Sequence, residues 1–234
     1  MTLFISIIGT VVGSLIGLII GVIRTIPKPD RGFSKTFLKF INWLLTIYVE
    51  FFRGTPMIVQ ASVIYYGFPL AFGIDMNRTF AALFIVSINT GAYIAEIVRG
   101  GIISVDKGQF EAAHAIGMNH VKTMLYVVLP QVVRNILPAV GNEFVVNIKD
   151  TSVLNVIGVT ELFFQSKSVT GVNFRYFETY LVTSIIYLIM TITVTRILRR
   201  FERKLDGPDS FNVIPGNQMQ VQRPEDAVKR KHRH

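Results

Sequence analysis

Half of the 234 residues are apolar or aromatic, 17% are charged and the mean hydropathy is +0.46, a balance that excludes a large soluble catalytic domain. The chain has no cysteine, which removes disulfides, thiolate metal sites, iron–sulfur clusters and cysteine nucleophiles. A formal net charge of +9 suggests nucleic acid in a soluble protein but reports orientation in a membrane protein.

Taken in chain order, Thr2–Ile23 is an uncharged run of 22 residues, long enough to span a bilayer. It lacks a basic n-region and exceeds the length of a signal-peptide core. Gly9, Gly13, Gly17 and Gly21 recur every fourth residue, so one face is bare of side chains and suited to close helix packing. Residues 24–39 carry Arg24, Lys28, Arg31, Lys35 and Lys39 against Asp30, with Pro27 and Pro29 barring a continuous helix. The apolar region 40–72 is interrupted by Glu50, Arg53, Gly54, Thr55 and Pro56. It predicts an amphipathic lead-in helix, a break at 54–56 and a span over 57–72. Further spans are expected over 79–98, 135–148 and 177–197, the fourth interrupted by Pro138 and Gly141. The stretch between the last two reads as mixed, and 206–234 reads as a disordered basic tail.

The fold expected is therefore an all-α membrane protein of five transmembrane helices, with a transmembrane domain over 1–205. Of the 24 lysines and arginines, only Arg78, Lys149, Lys167 and Arg175 fall in segments assigned outside, and Arg53 is unassigned. The remainder fall inside, which places the N-terminus outside and the C-terminus inside. The charge is thus mostly topology, and nucleic acid is not an expected partner.

The informative stretch lies in the cytoplasmic loop 104–130. Glu111-Ala112-Ala113 is followed after three residues by Gly117, and after nine more by Val127, one residue, and Leu129-Pro130. The spacing predicts a short docking helix over 107–116 with Phe110 and Ala113 together. Gly117 is free to adopt a left-handed stop, and a second helix from about 120 ends at Pro130. No G-x-x-x-x-G-K-[ST] sequence occurs, so the chain has no loop to cradle nucleotide phosphates. His114, His120, His232 and His234 lack metal-ligand spacing.

The loop resembles that of the permease subunits of bacterial type I ABC importers, with Val127 where the family pattern has isoleucine. The segments 50–56 (EFFRGTP), 93–102 (YIAEIVRGGI) and 149–154 (KDTSVL) resemble the polar amino-acid uptake branch. The resemblance implies a multi-pass protein of the bacterial plasma membrane. Its partners would be a second permease chain, identical or a close paralogue, two separate ATPase subunits holding ATP and Mg, an extracellular substrate-binding protein and membrane lipid. It further implies that Glu111, Ala112, Ala113, Gly117, Leu129 and Pro130 form the ATPase-coupling element, with no cofactor in this chain.

Polar residues at membrane depth mark a substrate path. Glu143 and Asn147 share one face, Asn142 and Lys149 the neighbouring one, and Asn89 and Tyr93 are candidates to face them. A polar amino acid would offer its ammonium to Glu143 and its carboxylate to the amides and Lys149. Arg53, Glu96 and Arg99 read as structural charges near span ends. The rival readings are an ion-gradient-driven secondary transporter, for which paired broken helices are expected but one is visible, and a non-transporting membrane assembly protein.

Overall fold

The computed structural model describes residues 1–27 and 33–205. The predicted tail 206–234 and Lys28 to Arg31 of the first basic loop lie outside the described residues. Nine α-helices follow one another, with no strand among the described residues: α1 (Thr2–Ile23), α2 (Phe33–Gly54), α3 (Met57–Phe72), α4 (Arg78–Ile103), α5 (Lys107–Ala115), α6 (His120–Thr123), α7 (Leu129–Asp150), α8 (Leu162–Asn173) and α9 (Tyr176–Leu205). A π-helical turn, Met124–Val128, joins α6 to α7, and a 3₁₀ segment, Thr151–Ile157, extends α7. Four helical stretches are long and apolar enough to cross a membrane, and Met57–Phe72 is a shorter fifth.

Helix α4 is the hub. Its first turn is capped by Asn77, whose side chain accepts from Thr79 N (2.9 Å) and Phe80 N (3.3 Å). Two-thirds of its apolar stretch (67%) is buried. The glycine stripe of α1 lies directly on it. A Cβ on Gly13 would fall 2.7 Å from Thr90 Cβ, one on Gly17 2.5 Å from Ile94 Cβ and one on Gly21 2.6 Å from Val98 Cβ, and Gly9 faces Val86. The rising register makes α1 and α4 parallel, at a separation only glycine permits.

Helices α2 and α3 together run antiparallel to α4: Val49 packs with Ala95, and further along Ala61 packs with Ala81, Ala82 and Ile85. They form one path broken at Thr55-Pro56. Proline has no N–H for Phe52 O and pushes the residue before it out of the helical region. Gln60 fills the gap, its Nε2 donating to Phe52 O (2.9 Å) and Thr55 O (2.8 Å).

Helix α7 is also antiparallel to α4, with Gly101 against Val132 and Ile136, and α9 returns antiparallel to α7, with Leu198 beside Gly141. The path through residues 120–157 corrects two sequence expectations. The helix from His120 does not end at Pro130, because proline is compatible with the first turn of a new segment. The ladder instead widens to an i+5 bond, Leu129 N to Met124 O, while Gln131 Nε2 bonds Val127 O at 2.8 Å. The fourth apolar stretch accordingly occupies His120–Ile157, well beyond 135–148. The segment read as mixed is ordered as the 3₁₀ turn and α8, whose N-terminal capping residue is the buried Glu161.

Candidate functional site

The docking element is built from local signals. Asp106 caps α5 by accepting from Gly108 N (2.7 Å). At the other end Gly117 adopts φ +82°, Gly117 N donates to His114 O (2.9 Å) and Met118 N to Ala113 O (3.0 Å). These paired bonds make a Schellman stop, which needs a left-handed residue. Ala113 is buried and Phe110 packs against the neighbouring core. Glu111, Ala112, Gly117 and Pro130 are exposed, and Leu129 is half-buried. Ile116, Val121 and Tyr126 add large exposed apolar surface, at 75%, 61% and 72% exposure. The loop thus presents a small, flat, partly apolar surface around one carboxylate, which suits docking into a protein groove.

The polar residues on the long helices divide into two sets. In the first, every group has a partner inside the chain. Asn147 is buried and donates from Nδ2 to Thr10 Oγ1 (2.8 Å) and Thr90 Oγ1 (3.0 Å), tying α7 to α1 and α4. Asn89 is buried and donates to Gln60 Oε1 (2.9 Å). In the second set are Tyr93 and Glu143, half-buried, and the exposed Asn142. The Arg53 guanidinium lies over the Tyr93 ring, 5.6 Å from its centroid. Lys149 is exposed. It lines a cavity of about 340 Å³ between α7 and α9 with Thr195, Arg196 and Arg199.

Both interruptions of the helical paths fall at one level of the bundle. The α2–α3 break is beside Asn89 through Phe52 O, and Asn147, beside Thr90, lies one turn before α7 passes into the 3₁₀ segment. The break at 54–56 was expected from sequence, whereas Pro138 and Gly141 do not interrupt α7, which is continuous over Leu129–Asp150; the second interruption falls at its end, and the two broken paths run parallel to each other rather than inverted. They flank the second polar set.

The family described as binding-protein-dependent transport system inner membrane component matches residues 32–207. The chain belongs to this family. The glutamine transport system permease protein GlnP of Escherichia coli K12 is 42% identical over 176 residues, which cover 74% of this chain and 80% of GlnP. The arginine transport system permease protein ArtQ of Bacillus subtilis 168 is 36% identical over 174 residues, with 74% and 79% covered. A crystal structure of an amino acid ABC transporter with histidines matches with a TM-score of 0.76 at 39% identity, over 87% of this chain and 90% of that one. The protein is a multi-pass permease subunit of the bacterial plasma membrane.

Several residues of this permease were not singled out from sequence. Glu161 accepts from Phe163 N (2.9 Å), Phe164 N (2.7 Å) and Tyr187 OH (2.9 Å), fastening α8 to α9. A glutamate before an apolar run is a cap signal that was available. Glu96, by contrast, was read from sequence as a structural charge near a span end, and it pairs with Arg24 through one oxygen and with Arg99 (2.8 Å) through the other, binding the end of α1 to α4. Asp150 follows Glu143 by seven residues, a helical spacing that placed both on one face. Nothing local marks Gln60, whose partners are the backbone of a break and the side chain of Asn89.

Proposed function

We propose that this permease moves a polar amino acid inward across the plasma membrane, driven by ATP hydrolysis on partner subunits. The complete importer holds a second permease chain, identical or a close paralogue, two ATPases carrying ATP and Mg, and an external binding protein. Counting α2–α3 as one crossing and α7 with its 3₁₀ extension as another gives five crossings of alternating direction. The basic residues at the α5–α6 end put that end and the C-terminus inside and the N-terminus outside. The exposed surface of Glu111, Ala112 and Gly117 then docks on the ATPase, with Leu129-Pro130 as the elbow that passes its movement to α7.

One observation carries the substrate reading: two helical paths are interrupted at the same level, and ionisable groups stand there without ion pairs. Irregular backbone and charge are tolerated at membrane depth where they line a water-filled or ligand-filled cavity. Discontinuous helices near the midplane form binding sites in transporters. Glu143, with Asp150 two turns further along the same helix, is the group suited to a substrate ammonium, and Asn142 and Tyr93 border the same path. The names of relatives that carry glutamine and arginine support the amino-acid class.

The test is uptake of a labelled amino-acid panel by vesicles containing the reconstituted importer. ATP-dependent accumulation of at least one polar member is expected, and Glu143→Gln lowers it by about tenfold or more, the equivalent of about 1.4 kcal/mol or above. Accumulation indifferent to ATP, or an unchanged uptake profile in Glu143→Gln, contradicts the proposal.

A further inference from the structure

The cavity between α7 and α9 is lined by cations from both helices and by no acid. Lys149 enters it from α7 and Arg196 and Arg199 from α9, with Thr195 beside them and Val145 and Ile192 as apolar wall, around a space of about 340 Å³. Among the described residues the ion pairs are those of Glu96 with Arg24 and Arg99, so none of the three cations is paired there. Two carboxylates stand near without lining the cavity. Asp150 follows Lys149 directly and projects about 100° round the helix from it. Glu202 is turned to Gly141, where an added Cβ would fall 3.7 Å from its Oε1.

The antiparallel packing makes the three charges converge. Helical side chains lean toward the N-terminus of their own helix. Gly141 lies beside Leu198, so Lys149, two turns further along α7, leans back toward the arginines while they lean toward it. Membrane orientation does not account for this set. Arg200, Arg203 and Lys204 already mark the same end of α9, whereas Lys149 sits within the apolar stretch His120–Ile157, where an uncompensated cation is costly. One anion between the helices would compensate all three.

We propose that this cavity binds a phosphate group, supplied by the headgroup of an anionic phospholipid. The tetrahedral oxygens of a phosphate can accept from several directions at once, which suits two guanidinium forks and an ammonium arriving from opposite helices. The cavity lies where the apolar stretch of α9 passes into its basic end, the level at which basic pockets between membrane helices meet lipid headgroups. Beyond it Ile192, Ile189 and Ile185 continue one exposed apolar face of α9, along which an acyl chain can lie. The site depends on neither the substrate nor the direction of transport, so it stands or falls separately from the amino-acid reading.

The experiment uses the purified permease–ATPase complex in detergent. Native mass spectrometry follows its titration with phosphatidylglycerol and with phosphatidylcholine, and equilibrium dialysis measures binding of labelled inorganic phosphate. The wild type should favour phosphatidylglycerol by about tenfold or more. In the triple variant Lys149→Met, Arg196→Gln, Arg199→Gln the preference should fall to within about twofold, while Arg200→Gln with Arg203→Gln, which removes charge from the same helix end outside the cavity, should keep it. Saturable phosphate binding that the triple variant lacks, without a preference for the anionic lipid, keeps the phosphate site and overturns the lipid as its source. A wild type with neither the lipid preference nor such phosphate binding overturns the proposal. The absence of a lipid preference in the wild type is read without any variant, so it counts even where the triple variant fails to assemble. Preference retained in the triple variant, or lost equally in the Arg200, Arg203 variant, overturns the placement in this cavity.

Discussion

Helix α4 meets its neighbours in two ways. Toward α1 it presents Val86, Thr90, Ile94 and Val98 to a row of glycines, and the two backbones approach as closely as side chains allow. Toward the gap between α2 and α7 it presents Tyr93, while the paths on either side are broken and their charges stand unpaired. The first face buries almost everything and fixes one geometry. The second leaves polar groups without ion pairs and two interruptions of the helical path beside them. Transport requires both, a rigid frame against which something can move and an opening that can change shape.

The largest expected effect breaks the rigid face. Gly13→Leu places a side chain where even its Cβ falls 2.9 Å from the Ser87 backbone oxygen and 2.7 Å from Thr90 Cβ. Neither neighbour can yield without moving a helix, and the overpacking cost is about 3 kcal/mol or more. Loss of the assembled complex is expected on size-exclusion chromatography. Normal assembly with full activity contradicts the account of the α1–α4 contact.

Next is Gly117→Asp, which addresses coupling and not the frame. The residue sits at φ +82° with no atom within 4 Å of a prospective Cβ, so aspartate brings no internal clash and a backbone cost of only about 1–2 kcal/mol. It adds charge to the surface proposed to dock on the ATPase. Membrane insertion and assembly of the permease chain are expected to hold while ATP-dependent uptake falls by about tenfold or more. Wild-type uptake would remove Gly117 from the coupling element.

The glycine stripe and the docking loop were legible because each is written within a few residues: a four-residue period, a left-handed glycine. What sequence shows about a long helix is which residues share a face, and not which neighbour meets that face. Asn147 and Glu143 share a stripe, yet one is sealed against Thr10 and Thr90 and the other borders the gap. The course through Pro130 was misread for a different reason. A proline that opens a new helical segment and one that closes an old one look alike until the widened turn before it is seen. Arg53 was legible as a charge near a break, while its place over the Tyr93 ring depends on a contact between two helices.

Asn147→Leu tests that partition. It keeps the volume and removes the bonds to Thr10 and Thr90, whose hydroxyls can turn back to their own helices. A loss of about 1 kcal/mol is expected, seen as a melting temperature lower by a few degrees with uptake affinity unchanged. Altered substrate affinity at unchanged melting temperature would move Asn147 from the frame to the path.

An effect of similar size is expected at Glu161, on the frame side of the comparison but far from α1. Its carboxylate is 2% exposed and is held by two N–H groups at the start of α8 and by Tyr187 OH, with no cation beside it. The positive end of the helix supplies the compensation that a lysine or arginine would otherwise give. In Glu161→Gln the amide nitrogen must replace one of two accepting oxygens. In the place of Oε2 it loses the bond from Phe163 N and donates to Tyr187 OH, which can also accept; in the place of Oε1 it loses the bond from Phe164 N, so either placement costs one cap bond. One unmade hydrogen bond plus part of the helix-end interaction amounts to about 1–2 kcal/mol, or a few degrees in melting temperature for a chain of this size. Uptake at ambient temperature should stay within about twofold, because α8 keeps its remaining cap bonds and its contact with α9. An unchanged melting temperature would contradict the capping account, and abolished uptake at normal stability would place Glu161 in the moving part of the molecule instead.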